Sequence, residues 1–367
     1  MRRAYAAGMK TSTGNSSKTF ISPKTFLVSQ FIRFAIYCVS LSALLLLVAP
    51  SREVARGAEP VKVAMTADRW QITGEGEFQQ YKGMEALSLK KGAAMLNGLT
   101  FRNGTIEFDV VPLQMGAGIG FRWRDKDTYE YIYLRPSADC VAAGACIQYA
   151  PTTQGVLLWD LFPQYQSAAT LHDGDWNHVK MVVSGQRMNV YVNGVKTPTL
   201  KIGRLEGDTM EGALTLQAPG YFANLTVVPD AVEGLASEPE KDPTTDDRRL
   251  VRNWQVAPAS ELAADKEPGF SDMPDSSAAW QSITAERGGL VDITRLYGMP
   301  LPRPRRSITW LKTTIKSDKN QSIKTAIGWS REVWLFVNGK PIYADKNLYQ
   351  PPTARKAPDG RCSLENG

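Results

Sequence analysis

Two runs of alternating apolar and polar residues, separated by a Ser-Gly-Gln turn, constrain the fold of this chain more than any other feature. The first run is Trp176–Val183 and the second is Met188–Val195. Alternation places Val179, Met181 and Val183 on one face and polar residues on the other, as in a sheet with one dry and one wet face. The Asn-Gly pair in the second run supplies the positive φ angles of a tight hairpin. The pattern predicts an antiparallel β-sandwich.

The first 58 residues predict export. An uncharged run of sixteen residues, Phe34–Ala49, follows a basic segment and precedes Ala55-Arg56-Gly57, a small-x-small step typical of a cleaved signal peptide. A retained signal anchor is the alternative, because so short a run only marginally spans a bilayer of about 30 Å. In both cases residues from 60 onward are secreted, periplasmic or at the cell surface. Only an uncleaved leader would contact the membrane.

The basic character of the chain comes from this leader. The formal net charge is +6, and the first 58 residues hold eight Lys or Arg against Glu53, which leaves the remainder near −1. A phosphate-binding surface needs clustered positive charge on the folded part of a protein. The charge pattern therefore gives no support for a nucleic-acid partner.

Composition divides the rest of the chain into three parts, and the prediction is all-β throughout. Residues 60–229 show many short alternating segments between Gly-containing turns, and residues 230–249 form an acidic, Pro-containing linker with few bulky apolar residues. Alternation returns in residues 250–367, which predicts a second β-sandwich. We expect this second domain to be truncated, since the sequence stops without a closing strand.

Three segments resemble known families. The D-W-N-H-V-K … V-Y-V-N-G arrangement (175–194) resembles the late strands of laminin-G-like and concanavalin-A-like jelly rolls. The passage G-I-G-F-R-W-R-D-K-D-T-Y-E-Y-I-Y-L-R-P (118–136) is similar to bacterial keto-disaccharide hydrolase domains. G-G-L-V-D-I-T-R and G-W-S-R-E-V-W-L-F-V-N-G-K-P-I-Y resemble the galactose-binding-like jelly roll that accompanies many glycoside hydrolases. These resemblances imply carbohydrate or glycoside as the partner.

Two acids are the candidate catalytic residues. Alternation puts Glu107 and Asp109 on one face of a strand whose apolar residues form the other face. A retaining glycosidase needs two carboxylates about 5 to 5.5 Å apart, which residues i and i+2 of a strand can provide. Related jelly-roll glucanases carry Glu-x-Asp-x-x-Glu, and here Pro112 stands where the third acid would be. The alternative is a solvated strand face.

Arginines and tyrosines on the next two strands are the candidate ligand-binding residues. Alternation places Arg122 and Arg124 on one face and Ile119, Phe121 and Trp123 on the other. The resemblance implies that the arginines contribute to a sugar site.

On the following strand Tyr129, Tyr131 and Tyr133 share a face. Tyrosine rings cover the C–H patches of sugars and their hydroxyls form hydrogen bonds. The alternative is an aromatic half of the core.

Cysteines and turn carboxylates bear on disulfides and metals. Cys140 and Cys146 bracket a short loop and predict a local disulfide in an oxidising compartment. Two thiols and two histidines do not make a convincing zinc set, so we expect no metal and no cofactor. Asp125 and Asp127 could ligate calcium, but an ordinary turn explains them better.

The sequence thus predicts an exported carbohydrate-binding protein with a laminin-G-like sandwich and an accessory galactose-binding-like module. Sugar binding needs aromatic faces and a few hydrogen-bonding groups, which are present, whereas hydrolysis needs a complete acid and nucleophile set, which the sequence does not supply. The alternatives are a glycoside-cleaving enzyme of the keto-disaccharide hydrolase type and an envelope scaffold that binds other proteins.

Overall fold

The structure is a computed structural model that describes residues 59–159, 161–299, 301, 305–318, 324–329, 331–347 and 361–365. The predicted export segment, residues 1–58, lies outside the described residues. Among the residues that are described, no helix is long and apolar enough to cross a membrane.

The first sandwich is built from fourteen strands that form one continuous sheet. Their bounds are β1 Val61–Lys62, β2 Trp70–Tyr81, β3 Met84–Leu96, β4 Gly104–Pro112, β5 Gly118–Asp125, β6 Thr128–Leu134, β7 Ile147–Thr153, β8 Val156–Leu157, β9 Gln166–Ser167, β10 Asn177–Ser184, β11 Arg187–Val192, β12 Leu200–Ile202, β13 Ala213–Gln217 and β14 Gly220–Pro229.

The sheet curls on itself, because β3 pairs with β14 near its start and with β13 near its end. One half, here called the front half, runs β12-β11-β10-β4-β14, and the back half runs β13-β5-β6-β7-β8. Apolar side chains of both halves meet in one core, in which Ile106, Phe108, Phe121, Ile132 and Met181 are almost fully buried. The predicted all-β jelly-roll sandwich is confirmed.

Alternation predicts the faces of the regular strands correctly. Ile106, Phe108 and Val110 of β4 point into the core, whereas Glu107 and Asp109 lie on the outer face. In β6 the three tyrosines share the face opposite Ile132 and Leu134.

The face prediction for β5 is wrong at Arg122. Two residues of β5, Phe121 and Arg122, oppose the single residue Leu214 of β13, so the strand contains a β-bulge, and Arg122 has a φ of 50°. The extra residue reverses the alternation. Arg122 is therefore fully buried, and Trp123 moves to the outer face, where its ring stacks on Tyr129 at 4.2 Å.

Arg122 is bound to backbone rather than offered to a ligand. Its guanidinium donates to the carbonyl oxygen of Arg102 at 2.7 and 3.0 Å and to that of Gly185 at 2.7 Å. It also lies beside the side chain of Asn103 at 3.3 Å. These contacts join the start of β4 to the β10–β11 turn.

The chain after residue 229 runs along the sandwich before forming smaller sheets. Gln186 donates its amide to the carbonyl of Ser237 at 2.9 Å, and Glu240 donates to Gly203 at 2.8 Å. Within the described residues of this part, nine further strands pair in one sheet of three and three sheets of two. They are β15 Asn253–Val256, β16 Ser260–Leu262, β17 Gln281–Thr284, β18 Arg306–Ile308, β19 Leu311–Lys312, β20 Lys324–Gly328, β21 Arg331–Val337, β22 Lys340–Asn347 and β23 Arg361–Glu365, with short 3-10 turns Phe270–Asp272 and Arg287–Gly289 and the helix α1 Ile293–Tyr297. The domain boundaries and the galactose-binding-like identity stay predictions.

The predicted disulfide is present. Cys140 and Cys146 are bonded, and they close the loop between β6 and β7. Both cysteines are buried, and they pack in the core of the sandwich. The bond thus anchors this loop to the back half.

Strand β6 carries a buried carboxyl. Glu130 is fully buried and accepts a hydrogen bond from the hydroxyl of Tyr149 at 2.6 Å, while that hydroxyl accepts from the backbone amide of Glu206 at 2.6 Å. Burial raises the pKa of Glu130 to about 7, although the Tyr149 bond and the charge of Arg122 oppose the shift. Below about pH 7 the folded protein therefore favours the protonated carboxyl.

We expect this carboxyl to make the sandwich less stable as the pH rises. A carboxyl whose pKa is higher in the folded than in the unfolded state contributes stability below the unfolded pKa that is lost as the pH rises through the folded pKa. For Glu130 the loss falls between about pH 4.5 and 7 and amounts to about 3 kcal/mol. Urea unfolding at pH 5 and pH 8 should show a smaller difference for Glu130→Gln than for the wild type. Glu85→Gln, an exposed change on β3, is the control and should keep the wild-type difference between pH 5 and pH 8. If Glu130→Gln also keeps that difference, Glu130 is not the source of the pH dependence.

Candidate functional site

Two acids and an imidazole meet on the outer face of the front half. Strands β4 and β10 are antiparallel neighbours in which Asp109 is opposite His178 and Glu107 is opposite Lys180. His178 Nδ1 lies 2.8 Å from Asp109 Oδ1, and His178 Nε2 lies 3.5 Å from Glu107 Oε2. We call these three residues the acid–imidazole cluster.

The cluster is open to solvent on one side. The side chains of His178 and Glu107 are 43% and 37% exposed, whereas Asp109 is 13% exposed. Asp109 thus lies beneath the imidazole and holds it. Nε2 of His178 and the carboxylate of Glu107 are the groups that a molecule on this face would meet.

Hydrogen bonds set the charge of the cluster. The bond to Asp109 raises the pKa of His178, and burial only partly offsets that effect. Burial alone would raise the pKa of Asp109, but hydrogen bonds from His178 and Asn224 outweigh burial and lower it. The pair therefore favours an ionised carboxylate with a protonated imidazole whose Nδ1–H donates to Asp109.

A second β-bulge supplies the other partner of Asp109. In β14 the register with β4 shifts between Ala223 and Thr226, and Asn224 in this bulge has a φ of 53°. Its side-chain amide donates to Asp109 Oδ2 at 2.7 Å. Bulges often re-aim a side chain next to a functional site. Both oxygens of Asp109 are consequently occupied, which fixes the carboxylate and through it the imidazole.

Three aromatic side chains adjoin the cluster. The rings of Tyr81 and Tyr221 stack in parallel at 3.7 Å, and Trp176 meets Tyr81 edge to face at 5.8 Å. We call these residues the aromatic cluster. Tyr221 is opposite Val111, which lies two residues beyond Asp109 on the same face of β4. All three aromatic side chains are half-buried and keep some exposed surface.

The predicted ligand-binding residues of the back half are less accessible. Tyr131 and Tyr133 are 7% and 5% exposed, and together with Ala150 they form a small second core. The Tyr131 hydroxyl donates to the carbonyl of Gly116, and that of Tyr133 donates to Gln148 at 2.8 Å. Of the predicted set only Arg124 is exposed, and Tyr129 is half-buried beneath Trp123.

The turn between β5 and β6 binds its own charges. Asp125 accepts the backbone amide of Asp127 at 2.9 Å and pairs with Arg124 at 3.2 Å, while Asp127 pairs with Lys126 at 2.8 Å. In the part of the chain that the structure describes, no group of three or more His, Cys, Asp or Glu side chains is arranged to hold a metal ion.

The sequence pointed to Glu107 and Asp109 but not to their partners. The sequence places His178 on the wet side of its strand, where it is either a general base or an ordinary surface histidine, but nothing in the sequence places it beside Asp109. Asn224 left a trace in the sequence, because Phe222 and Leu225 both face the core although an odd spacing separates them, which marks a change of phase. Tyr81 and Tyr221 left no signal, since their proximity depends on long-range pairing.

The first sandwich matches a known protein family. Residues 64–228 match the family model of the 3-keto-alpha-glucoside-1,2-lyase-like domain. This part of the chain is a keto-disaccharide hydrolase-like sandwich, as the resemblance implied. No curated protein matches the chain.

Several solved structures are similar in outline. A carbohydrate-binding module of Bacillus subtilis is 12% identical with a TM-score of 0.29, over 47% of this chain and 94% of that one. A putative glycosyl hydrolase of Parabacteroides distasonis is 15% identical with a TM-score of 0.33, over 47% and 99%. A galectin of Caenorhabditis elegans is 14% identical with a TM-score of 0.27, over 42% and 94%.

Proposed function

Since residues 64–228 form a keto-disaccharide hydrolase-like sandwich, we propose that this chain is an exported carbohydrate-active protein that binds a glycoside on the outer face of its front half. The observation that supports the proposal most is the acid–imidazole cluster, where hydrogen-bonding side chains converge on an open sheet face. Sugar hydroxyls need such donors and acceptors at fixed positions.

Export is part of the proposal. The uncharged run Phe34–Ala49 and the disulfide between Cys140 and Cys146 both suit a protein that folds outside the cytoplasm. The back-half residues Arg124 and Tyr129 stay as a secondary contact surface in this proposal. The front half is preferred because its polar groups are accessible and mutually ordered.

A specific observation favours a second function, glycoside cleavage. His178 Nε2 and Glu107 Oε2 lie 3.5 Å apart, and both are accessible from the same side. A protonated imidazole can donate a proton and a carboxylate can accept one. The cluster therefore offers an acid and a base side by side, which simple sugar binding does not require.

The name of the matching family suggests a 1,2-elimination from a 3-keto-α-glucoside. In such a reaction Glu107 removes the proton on C2, which the neighbouring carbonyl acidifies. The C1–O bond breaks as a C1=C2 double bond forms, and His178 Nε2–H protonates the leaving oxygen. The products are an unsaturated keto sugar and a free alcohol, and no oxidant or water is consumed.

One assay separates binding from cleavage. The full-length protein is incubated with a panel of α-glucosides and 3-keto-α-glucosides, and retention and released alcohol are read in the same wells. Retention without release supports the binding function and rejects cleavage for that panel. Release that is at least a hundredfold slower in Glu107→Gln supports cleavage by this cluster.

Two further outcomes would count against the proposal. Release that persists unchanged in Glu107→Gln would remove Glu107 from the chemistry. Neither retention nor release from any compound would reject a carbohydrate function for the panel and favour a protein-binding scaffold. A product that absorbs in the ultraviolet as an unsaturated ketone indicates elimination, whereas its absence with sugar release indicates hydrolysis.

A further inference from the structure

The aromatic cluster lies beside the acid–imidazole cluster along the strands. Val111 is two residues from Asp109 on β4, so the two positions are about 7 Å apart on the same face. Val111 is nevertheless 1% exposed. Because Tyr221 stands opposite it in the ladder, we attribute its burial to the aromatic side chains at this level of the sheet. Between the level of Asp109 and that of Val111, the outer face therefore changes from charged side chains to aromatic rings.

Contacts between two loops fix the positions of Tyr81 and Trp176. Lys82, at the turn between β2 and β3, donates to the carbonyl of Gly174 at 2.6 Å and pairs with Asp175 at 3.2 Å. Asp175 in turn accepts the backbone amide of Trp176 at 2.9 Å. These contacts tie the β2–β3 hairpin to the loop before β10. Rings that are fixed before a ligand arrives lose little freedom on binding.

We propose that the aromatic cluster is a ring-binding subsite for the aglycone of the glycoside whose sugar sits over the acid–imidazole cluster. The inference rests on the proposed function, which supplies the occupant of the neighbouring position. It adds the direction of the ligand along β4 and a preference for aglycones that contain a ring. Aromatic faces bind apolar ring surfaces. The aromatic cluster and the acid–imidazole cluster occupy neighbouring positions on one strand face, about 7 Å apart.

The polar residues on the opposite side support this direction. At the level of Glu107 the face also carries Lys180, directly opposite on β10, which pairs with Glu233 at 2.5 Å and lies 5.7 Å from the ring centre of Tyr191. An ion pair is a poor surface for an apolar ring, because binding there would strip water from both charges. The aglycone is therefore directed toward Tyr81, Trp176 and Tyr221.

The test compares two ligands that differ only in the aglycone, methyl and phenyl 3-keto-α-glucoside. Their Kd values are measured by calorimetry on the full-length protein carrying Glu107→Gln, which prevents turnover. We expect the phenyl compound to bind about tenfold more tightly. Tyr81→Ala and, separately, Trp176→Ala should each remove most of this difference and leave the methyl compound within about twofold.

Tyr191→Ala is the matched control, because it removes a half-buried ring from the same face on the other side of the cluster. It should change neither affinity. Thermal melting of each variant shows whether it is folded. Because Tyr81→Ala and Trp176→Ala are independent, the test still decides if one of them does not fold. The subsite would be rejected, and the proposed function would stand, if the Glu107→Gln protein bound both compounds with equal affinity. The same holds if Tyr81→Ala and Trp176→Ala weakened the binding of the two compounds equally. If neither compound binds the wild type or the Glu107→Gln protein, the proposed function fails and the subsite with it.

Discussion

Replacing Arg122 by alanine is expected to lower the free energy of unfolding by about 3 to 5 kcal/mol. The change leaves the carbonyls of Arg102 and Gly185 without their donor in a buried place. It also removes the positive charge that favours ionisation of Glu130, which is fully buried. Urea unfolding at pH 7, followed by tryptophan fluorescence, measures the loss.

Arg124→Ala is the control in the same strand. The Arg124 side chain is 60% exposed and pairs with Asp125 at the surface, and such pairs contribute about 1 kcal/mol or less. We expect its free energy of unfolding to stay within about 0.5 kcal/mol of the wild type. Similar losses in the two variants would contradict the buried role of Arg122.

The two arginines illustrate where sequence reasoning succeeds and fails. Alternation assigned β4, β6 and β10 correctly, because a regular strand turns every second side chain to the same face. It failed at Arg122, since one inserted residue exchanges the faces of everything that follows. Nothing in Phe121-Arg122-Trp123-Arg124 marks the insertion, because an arginine in this pattern reads as a solvent-facing residue.

The sequence predicted only part of the candidate site, for a related reason. Glu107 and Asp109 are neighbours in sequence, so their shared face could be derived from the strand period. Their contact with His178 depends on the pairing of β4 with β10, some seventy positions away. Asn224 requires both a distant strand and a bulge. Local pattern gives the face of a residue, whereas strand order decides what it touches.

A large catalytic effect is also expected from Asp109, the residue that holds the imidazole. If the cluster cleaves a 3-keto-α-glucoside, Asp109→Asn should lower kcat at pH 7 by about a hundredfold. The bond to Asp109 is the main reason why the pKa of His178 is raised. An asparagine has no charge to favour the imidazolium, so the pKa of His178 falls and less of it is protonated at pH 7. The supply of the proton to the leaving oxygen then fails.

The raised pKa of His178 sets the pH range over which its ion pair with Asp109 is lost. The His178–Asp109 ion pair is complete below the ordinary pKa of histidine, provided that Asp109 stays ionised, and it is lost as the pH rises through the raised pKa of His178. Activity that needs the imidazolium should fall over the same range. In Asp109→Asn the fall should begin at lower pH. The charged neighbours Glu107, Lys180 and Glu233 are unchanged in this variant, so they do not account for a shift.

The NMR titration of His178 and the pH–rate profile, measured on the same variants, test the role of Asp109. The sequence contains two histidines, so the imidazole signal that disappears from the proton NMR spectrum of His178→Gln belongs to His178. Its titration midpoint should drop in Asp109→Asn and stay unchanged in Asp139→Asn, an exposed carboxylate in the disulfide loop. A lower midpoint together with a displaced pH–rate profile supports Asp109 as the positioning residue. A loss of turnover without any movement of the His178 midpoint would show that Asp109 acts otherwise, because a carboxylate that orients and charges an imidazole must change its titration when removed.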